Sequence, residues 1–265
     1  MNWQEIAATL RGEVVDMSHR AGAAHLASSL SCLDILAVMY GSVLRVNPVN
    51  PEDPDRDRFI LSKGHAAAAL YVTLAWKGFI AKEDLLQYGK KGSLLEEHPS
   101  PKLPGVEAAT GSLGHGLPIA NGMAMAARIQ KRGYRVFALM SDGECNEGSV
   151  WEAAMFAGQH RLANLCAFID FNKWQATGRS QEVLMLDPLM DKWAAFGWDV
   201  VEIDGHDYAQ IELVAGKRRG DKPRVIIAHT IKGKGVSFME DDNNWHYRIP
   251  NEEEVFKAKT ELKLL

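Results

Sequence analysis

Asp142 and Asn172 each stand just behind a run of apolar residues, Tyr134 to Met140 and Leu165 to Asp170. Such runs read as fully buried strands, and Val150 to Arg161 between them reads as a helix. One strand–helix–strand unit thus delivers a carboxylate and an amide oxygen to the same sheet edge, where ligands of open parallel sheets bind. With free backbone carbonyls they make a hard oxygen set, suited to magnesium or calcium and unsuited to soft metals. Gly143 lets the backbone approach a phosphate, and the helix start behind it offers free N–H groups. Taken singly, Asp142-Gly143 reads as an ordinary turn and Asn172 as a loop residue. At the ends of neighbouring strands they read together as a metal–diphosphate clamp.

The elements that must position this clamp follow from periodicity. Trp3, Ile6, Ala7, Leu10, Val14 and Met17 recur at helical spacing, and a second helix is expected from about Cys32 to Leu44. Asn47 to Asp57 reads as a loop, Arg58 to Ser62 as a short strand, and Ala66 to Lys77 as a helix ended by Gly78. Glu97 to Gly116 holds three prolines, four glycines and two histidines, and reads as a long irregular loop. Loops of that length inside a compact domain are usually functional or disordered, and the apolar residues within this one argue against disorder. Further helices are expected over Leu117 to Lys131, around Trp193 and over Tyr208 to Lys217, with strands at Trp198 to Ile203 and Arg224 to Ala228. Apolar strands alternating with helices predict an α/β fold, a doubly wound, mostly parallel sheet with helices on both faces. No internal repeat or linker divides residues 1–265, which are read as one domain.

Composition narrows the function classes. Hydrophobic residues make up 46% and charged residues 24%, with a net charge of −4. That balance gives no reason to expect nucleic acid or an anionic membrane surface. The short run Lys217-Arg218-Arg219 reads as a solvated helix end. Cys32, Cys145 and Cys166 form no CxxC pair and are odd in number, which fits a reducing compartment better than a disulfide framework. Met1 leads into a polar segment, so neither a signal peptide nor a membrane span is expected, and the cytoplasm is the default location.

Around the clamp the sequence resembles a known family. Ser141-Asp142-Gly143, followed after a helix by Asn172, is similar to the thiamine diphosphate fingerprint, which usually begins Gly-Asp-Gly. Further segments narrow the resemblance to transketolases: Asp142 to Gly148 with Trp151-Glu-Ala-Ala, Asp57 to His65, Leu103 to Glu107, Thr110 to Gly116, and Lys232 to Val236. They run in the family's order over nearly the whole chain.

Carried over residue by residue, the resemblance implies that Asp142 and Asn172 bind magnesium through side-chain oxygens, with calcium or manganese as substitutes, and that Trp174 adds a backbone carbonyl. It places Gly143 at the diphosphate, Gly111 and Leu113 against the aminopyrimidine, and Glu147 near both the cofactor and a subunit interface. It implies a catalytic cluster of His25, His65, His98, His115 and His246. Of these, His65 and His246 lie near the diphosphate, while His25 and His98 face donor hydroxyls. The remaining histidines, His19, His160, His206 and His229, are read as structural. Three positions depart from the family pattern. Ala24-His25-Leu26-Ala27 stands for a Gly-His-Pro-Gly type segment, Ser141 for the first glycine of the fingerprint, and Phe171 for a common acidic residue.

The implied reaction moves a two-carbon ketol unit from a ketose to an aldose. It breaks a carbon–carbon bond beside a carbonyl, and the cofactor's thiazolium stores the carbanion. Imidazoles suit the accompanying proton movements near neutral pH. The chain ends soon after the last motif, so the pyrimidine-binding and C-terminal domains, with the glutamate that activates the cofactor, are expected on a partner polypeptide. By family analogy two copies of each chain assemble, and this chain alone is inactive. Two other readings stay open: a related enzyme that condenses pyruvate with decarboxylation, as in deoxyxylulose phosphate synthase, and a non-catalytic binding or regulatory subunit.

Overall fold

Alternate residues of each central strand enter two different apolar clusters, which is why these strands carry no solvated face. In β2 (Val136–Ser141), Val136, Ala138 and Met140 pack on one side and Phe137 and Leu139 on the other. The same alternation holds in β3 (Leu165–Phe171) and β5 (Arg224–His229). With β1 (Arg58–Leu61) and β4 (Asp199–Asp204) they form a five-stranded parallel sheet in the order β1-β2-β3-β5-β4. The computed structural model describes residues 1–216 and 220–265, so the predicted helix end at Lys217-Arg218-Arg219 lies outside the described residues.

One face of the sheet is covered by α1 (Trp3–Ala21), α2 (Leu26–Val38), α3 (Ala67–Lys77) and α8 (Tyr208–Gly216). The other is covered by α4 (Gly116–Ile129), α5 (Gly148–Gln159) and α7 (Leu189–Ala195). The short α6 (Ser180–Val183) follows β3, and α9 (Glu252–Glu261) returns to α1. The doubly wound α/β fold is therefore as the periodicity predicts.

Several boundaries differ from the sequence reading. α2 begins at Leu26, six residues before the predicted start at Cys32, and every residue of it is buried. A helix buried all round has no polar stripe to announce its first turn. Leu26–Val43 is by length and hydropathy apolar enough to cross a membrane, yet 89% of it is buried inside this fold, as in the core helix of a packed protein. The sequence reading also missed α9. Its N-cap is Asn251, whose side chain accepts from Glu254 N while Glu254 reaches back to Asn251 N, a reciprocal pair that fixes the first turn. The long loop prediction stands: no helix or strand occurs between Gln87 and Gly116.

Candidate cofactor and metal site

The segments at the carboxyl ends of β1, β2 and β3 meet at one cavity of about 390 Å³. β2 and β3 pair in register from Val136 with Leu165 to Ser141 with Asp170, so Asp142 and Asn172 leave the sheet side by side. Asp142 is fully buried. Its Oδ1 accepts from Gly143 N at 2.9 Å, and its Oδ2 accepts from Lys173 N at 2.9 Å and Ser180 Oγ at 2.8 Å. Burial, with the nearby Asp170 carboxylate, pushes the Asp142 carboxyl up to about 7. Among the described residues no cation pairs with it.

Asn172 is held by its own neighbours. Its Oδ1 accepts from Trp174 N at 3.0 Å and its Nδ2 donates to Asp170 Oδ2 at 3.2 Å. The turn that presents Trp174 is pinned from outside: Trp174 Nε1 donates to Asp241 at 2.8 Å, and Arg179 stacks on the indole 3.8 Å from its centroid while bonding the same carboxylate.

Behind the clamp lies a buried charge pair to which the sequence reading assigned no role. Lys63 Nζ donates to Asp170 Oδ2, to Ser28 O at 2.9 Å and to Ser31 Oγ at 3.3 Å. Asp170 also accepts from Ser31 Oγ at 2.7 Å and from Thr230 Oγ1. Burial opposes both charges, but their pairing holds the Asp170 carboxyl below its ordinary range and Lys63 above its own. A lone carboxylate in the otherwise apolar run Leu165–Phe171 was the available signal. Glu144, also unassigned, ties three loops together by accepting from Ser62 Oγ, Gly114 N and Ser141 N.

Four of the five predicted catalytic histidines gather on the other wall. The His25 ring lies 5.4 Å from His65, 6.5 Å from His98 and 5.2 Å from His246, centroid to centroid. His25 takes a left-handed backbone (φ 66°) that starts α2 and aims its ring inward, while its N–H is fixed to His246 O at 2.9 Å. Burial chiefly, with His98, Lys232 and Lys63, lowers His25 to about 4. Burial, then Lys232, His25 and Lys63, lowers His246 to about 3, and burial with Lys63 and His25 holds His65 well below its usual value. Lys232 donates to His246 Nδ1 at 2.8 Å and to Asn243 Oδ1 at 2.6 Å, and burial with Lys63 lowers it to about 8.

The predicted cofactor contacts Gly111, Leu113, Gly143 and Glu147 all line this cavity, as do Asn172 and Trp174. Gly111 has φ 147°, and a Cβ there would fall 2.7 Å from His98 Cδ2. A Cβ on Gly64 would fall 2.6 Å from the Thr110 carbonyl carbon. These glycines let the long loop lie against β1 and His98. His115 is placed elsewhere: it is exposed at the start of α4, its Nδ1 3.0 Å from Leu113 O, outside the lining of the cavity. The four histidines read as structural do lie outside the cavity, and His206 joins Asp34 and the Ile231 N–H in a buried network.

These residues fit a metal and a phosphorylated cofactor. Asp142 is a buried carboxylate with no direct ion pair among the described residues, and Asn172 Oδ1 keeps a second lone pair. Among the described residues no group of three His, Cys, Asp or Glu side chains could hold a metal. A hard cation here would thus take one carboxylate, an amide oxygen and backbone carbonyl, and complete its shell with ligand phosphates, as magnesium commonly does. Two cavity-lining atoms, His25 Nδ1 and Gln175 Nε2, are buried with no hydrogen-bond partner, which a polar ligand would supply.

Known proteins share this sequence pattern and fold. Residues 3–264 match the family model described as transketolase, thiamine diphosphate binding domain. This chain belongs to the transketolase family. It is 45% identical over 256 residues to an apulose-4-phosphate transketolase subunit of Phocaeicola vulgatus, covering 95% of this chain and 90% of that one. To the 6-deoxy-6-sulfo-D-fructose transketolase subunit SqwG of a Clostridium species it is 42% identical, covering 96% and 94%. The crystal structure of the transketolase from Campylobacter jejuni superposes with a TM-score of 0.94 at 34% identity over 99% of this chain. This transketolase family chain spans 43% of that longer protein. The resemblance drawn from the motifs is thereby borne out, and so is the class: a transketolase-type thiamine diphosphate enzyme domain, hence a transferase.

Proposed function

We propose that this chain is the diphosphate- and magnesium-binding subunit of a split transketolase, which moves a two-carbon ketol unit from a ketose to an aldose. The observation that carries the reading is one cavity with Gly143, Asn172 and Trp174 on one wall, Asp142 buried directly behind them, and His25, His65, His98 and His246 on the other. On this reading Asp142, Asn172 and the Trp174 carbonyl hold the metal, Gly143, His65 and His246 meet the diphosphate, Gly111 and Leu113 meet the aminopyrimidine, and Glu147 stands at the mouth. When bound, the cofactor stores the carbanion left as the carbon–carbon bond breaks. The chain's own residues orient and protect. His25 and His98 exchange hydrogen bonds with the ketose hydroxyls, and His25 and His246 are neutral at pH 7. A diphosphate beside them raises their pKa toward the range where they can move protons.

Two observations support a partner. The relatives of matching length are named as transketolase subunits. The outer face of α4 and α5 is an apolar groove edged by Ile129 and Phe156, with Met155 nearby; Ile129 is 73% and Met155 56% exposed. Apolar patches of this kind mark association surfaces. The groove includes Ser149, whose Oγ bonds Gly114 O beside the cavity mouth, so a polypeptide seated there reaches the cofactor. That partner brings the pyrimidine-binding and C-terminal domains, in an assembly of two copies of each chain. A cytoplasmic location belongs to the same reading, supported by three free cysteines whose thiols burial pushes up.

The test is reconstitution. This chain mixed with the partner, thiamine diphosphate and magnesium should transfer ketol units from a ketose to an aldose, and neither polypeptide should do so alone. Activity with pyruvate but no ketose, or none with any donor, would reject the reading.

A further inference from the structure

The rim of the cavity carries one large aromatic residue that the clamp and the histidine cluster leave unexplained. Tyr247 is 62% exposed, yet its ring lies 4.7 Å from His246 and 5.8 Å from His25, edge-on to both. It lines the same cavity. Its hydroxyl makes no hydrogen bond to protein among the described residues and so is open to a molecule in the cavity.

Charge around the rim is equally telling. Among the described residues that line the cavity none is a lysine or an arginine. Arg248, next in sequence, turns away: it stacks 4.3 Å over Trp245 and bonds Glu254. Lys232 is buried and committed to Asn243 and His246. Beside Asn146, Glu147, Gln175 and Thr177, Tyr247 therefore adds to this cavity an uncharged aromatic face with an accessible hydroxyl. That combination suits a hydroxylated carbon chain, whose C–H faces pack on a ring while its hydroxyls bond the phenol.

We propose that Tyr247 is a specificity-determining residue that contacts the ketose donor beyond the carbons that react. The proposal rests on the ketol-transfer reading. In such a donor the first two carbons lie deepest, against His25, His65 and His246, and the remaining hydroxylated carbons point to the mouth, where Tyr247 stands.

The test compares Tyr247→Phe and Tyr247→Gly with wild type in the assembled enzyme, using D-fructose 6-phosphate and hydroxypyruvate as donors. Hydroxypyruvate carries the ketol unit but no hydroxylated chain. With fructose 6-phosphate, Tyr247→Phe should raise KM about three- to tenfold, the worth of one neutral hydrogen bond. Tyr247→Gly should raise it further, and kcat should move less than KM in both variants. KM for hydroxypyruvate and affinity for thiamine diphosphate with magnesium, read by calorimetry, should stay put. An unchanged KM for the ketose would overturn the proposal. So would equal shifts for both donors, which would mean that Tyr247 merely orients the histidines. Should Tyr247→Gly fail to fold, Tyr247→Phe alone decides. A wild-type assembly that transfers from neither donor would reject the functional reading and this inference with it; an active wild type with unaltered variants rejects this inference alone.

Discussion

Lys232 Nζ lies 2.8 Å from His246 Nδ1 and donates to it, which leaves the ring proton on Nε2. The contact fixes a tautomer and, after burial, is the largest influence lowering His246. Lys232→Met should release both constraints. We expect kcat in the assembled enzyme to fall by roughly a hundredfold, the lower range for one acid–base group. With the positive charge gone, His246 titrates at higher pH, so the acid limb of the pH–rate profile should move up. A profile that keeps its acid limb would refute the role of the lysine.

Asp142→Asn separates function from stability. The variant removes a buried negative charge; its amide oxygen still accepts from Lys173 N and Ser180 Oγ, while Gly143 N loses its acceptor. Cofactor affinity in the presence of magnesium should drop about a hundredfold or more. The melting temperature of the free chain should change little, because relief of the buried charge offsets the one lost acceptor. Retained magnesium-dependent binding by calorimetry would sink the metal assignment.

Lys63→Met leaves Asp170 charged and buried without its cation. Loss of one member of a buried pair costs about 3–5 kcal/mol, which urea denaturation would read directly. Adding Asp170→Asn should restore part of that loss, because the orphaned charge is gone.

Acid should loosen the histidine wall. His25 and His246 titrate near 4 and 3 in the folded chain against an ordinary 6.5. Between those values the unfolded chain binds more protons, so these two groups lose stability as pH falls from about 6.5 toward 3. His65, His98, Lys63 and Lys232 surround them and offer no anion to offset the charge. Urea midpoints at pH 7.5 and pH 5 should therefore differ less in the His25→Asn/His246→Asn double variant than in wild type.

Ile129→Glu places a charge on the α4–α5 groove. It should weaken association with the partner, seen as dissociation in analytical ultracentrifugation, while the melting temperature of the free chain stays near wild type because the side chain is exposed. Undiminished association would move the interface elsewhere.

Much of this was readable from residue order. Two apolar runs ending in Asp142 and Asn172 predicted adjacent strands and a hard-oxygen clamp, because burial on both faces demands continuous apolar strands and parallel sheets bind ligands at their carboxyl ends. The motif series located the cofactor family. Periodicity could not place the start of α2, since a helix buried all round carries no polar stripe, nor could it rank five histidines that lie far apart in the chain. Tertiary structure brought His25, His65, His98 and His246 within ring contact and left His115 outside. It also put Lys63 against Asp170 across 107 residues and set Tyr247 at the rim. Those outcomes depend on how loops close over the sheet edge, and a side chain's pKa or partner depends on what that closure buries beside it. The sequence by itself determined that Asp142 and Asn172 follow neighbouring strands; only folding decided which residues face them.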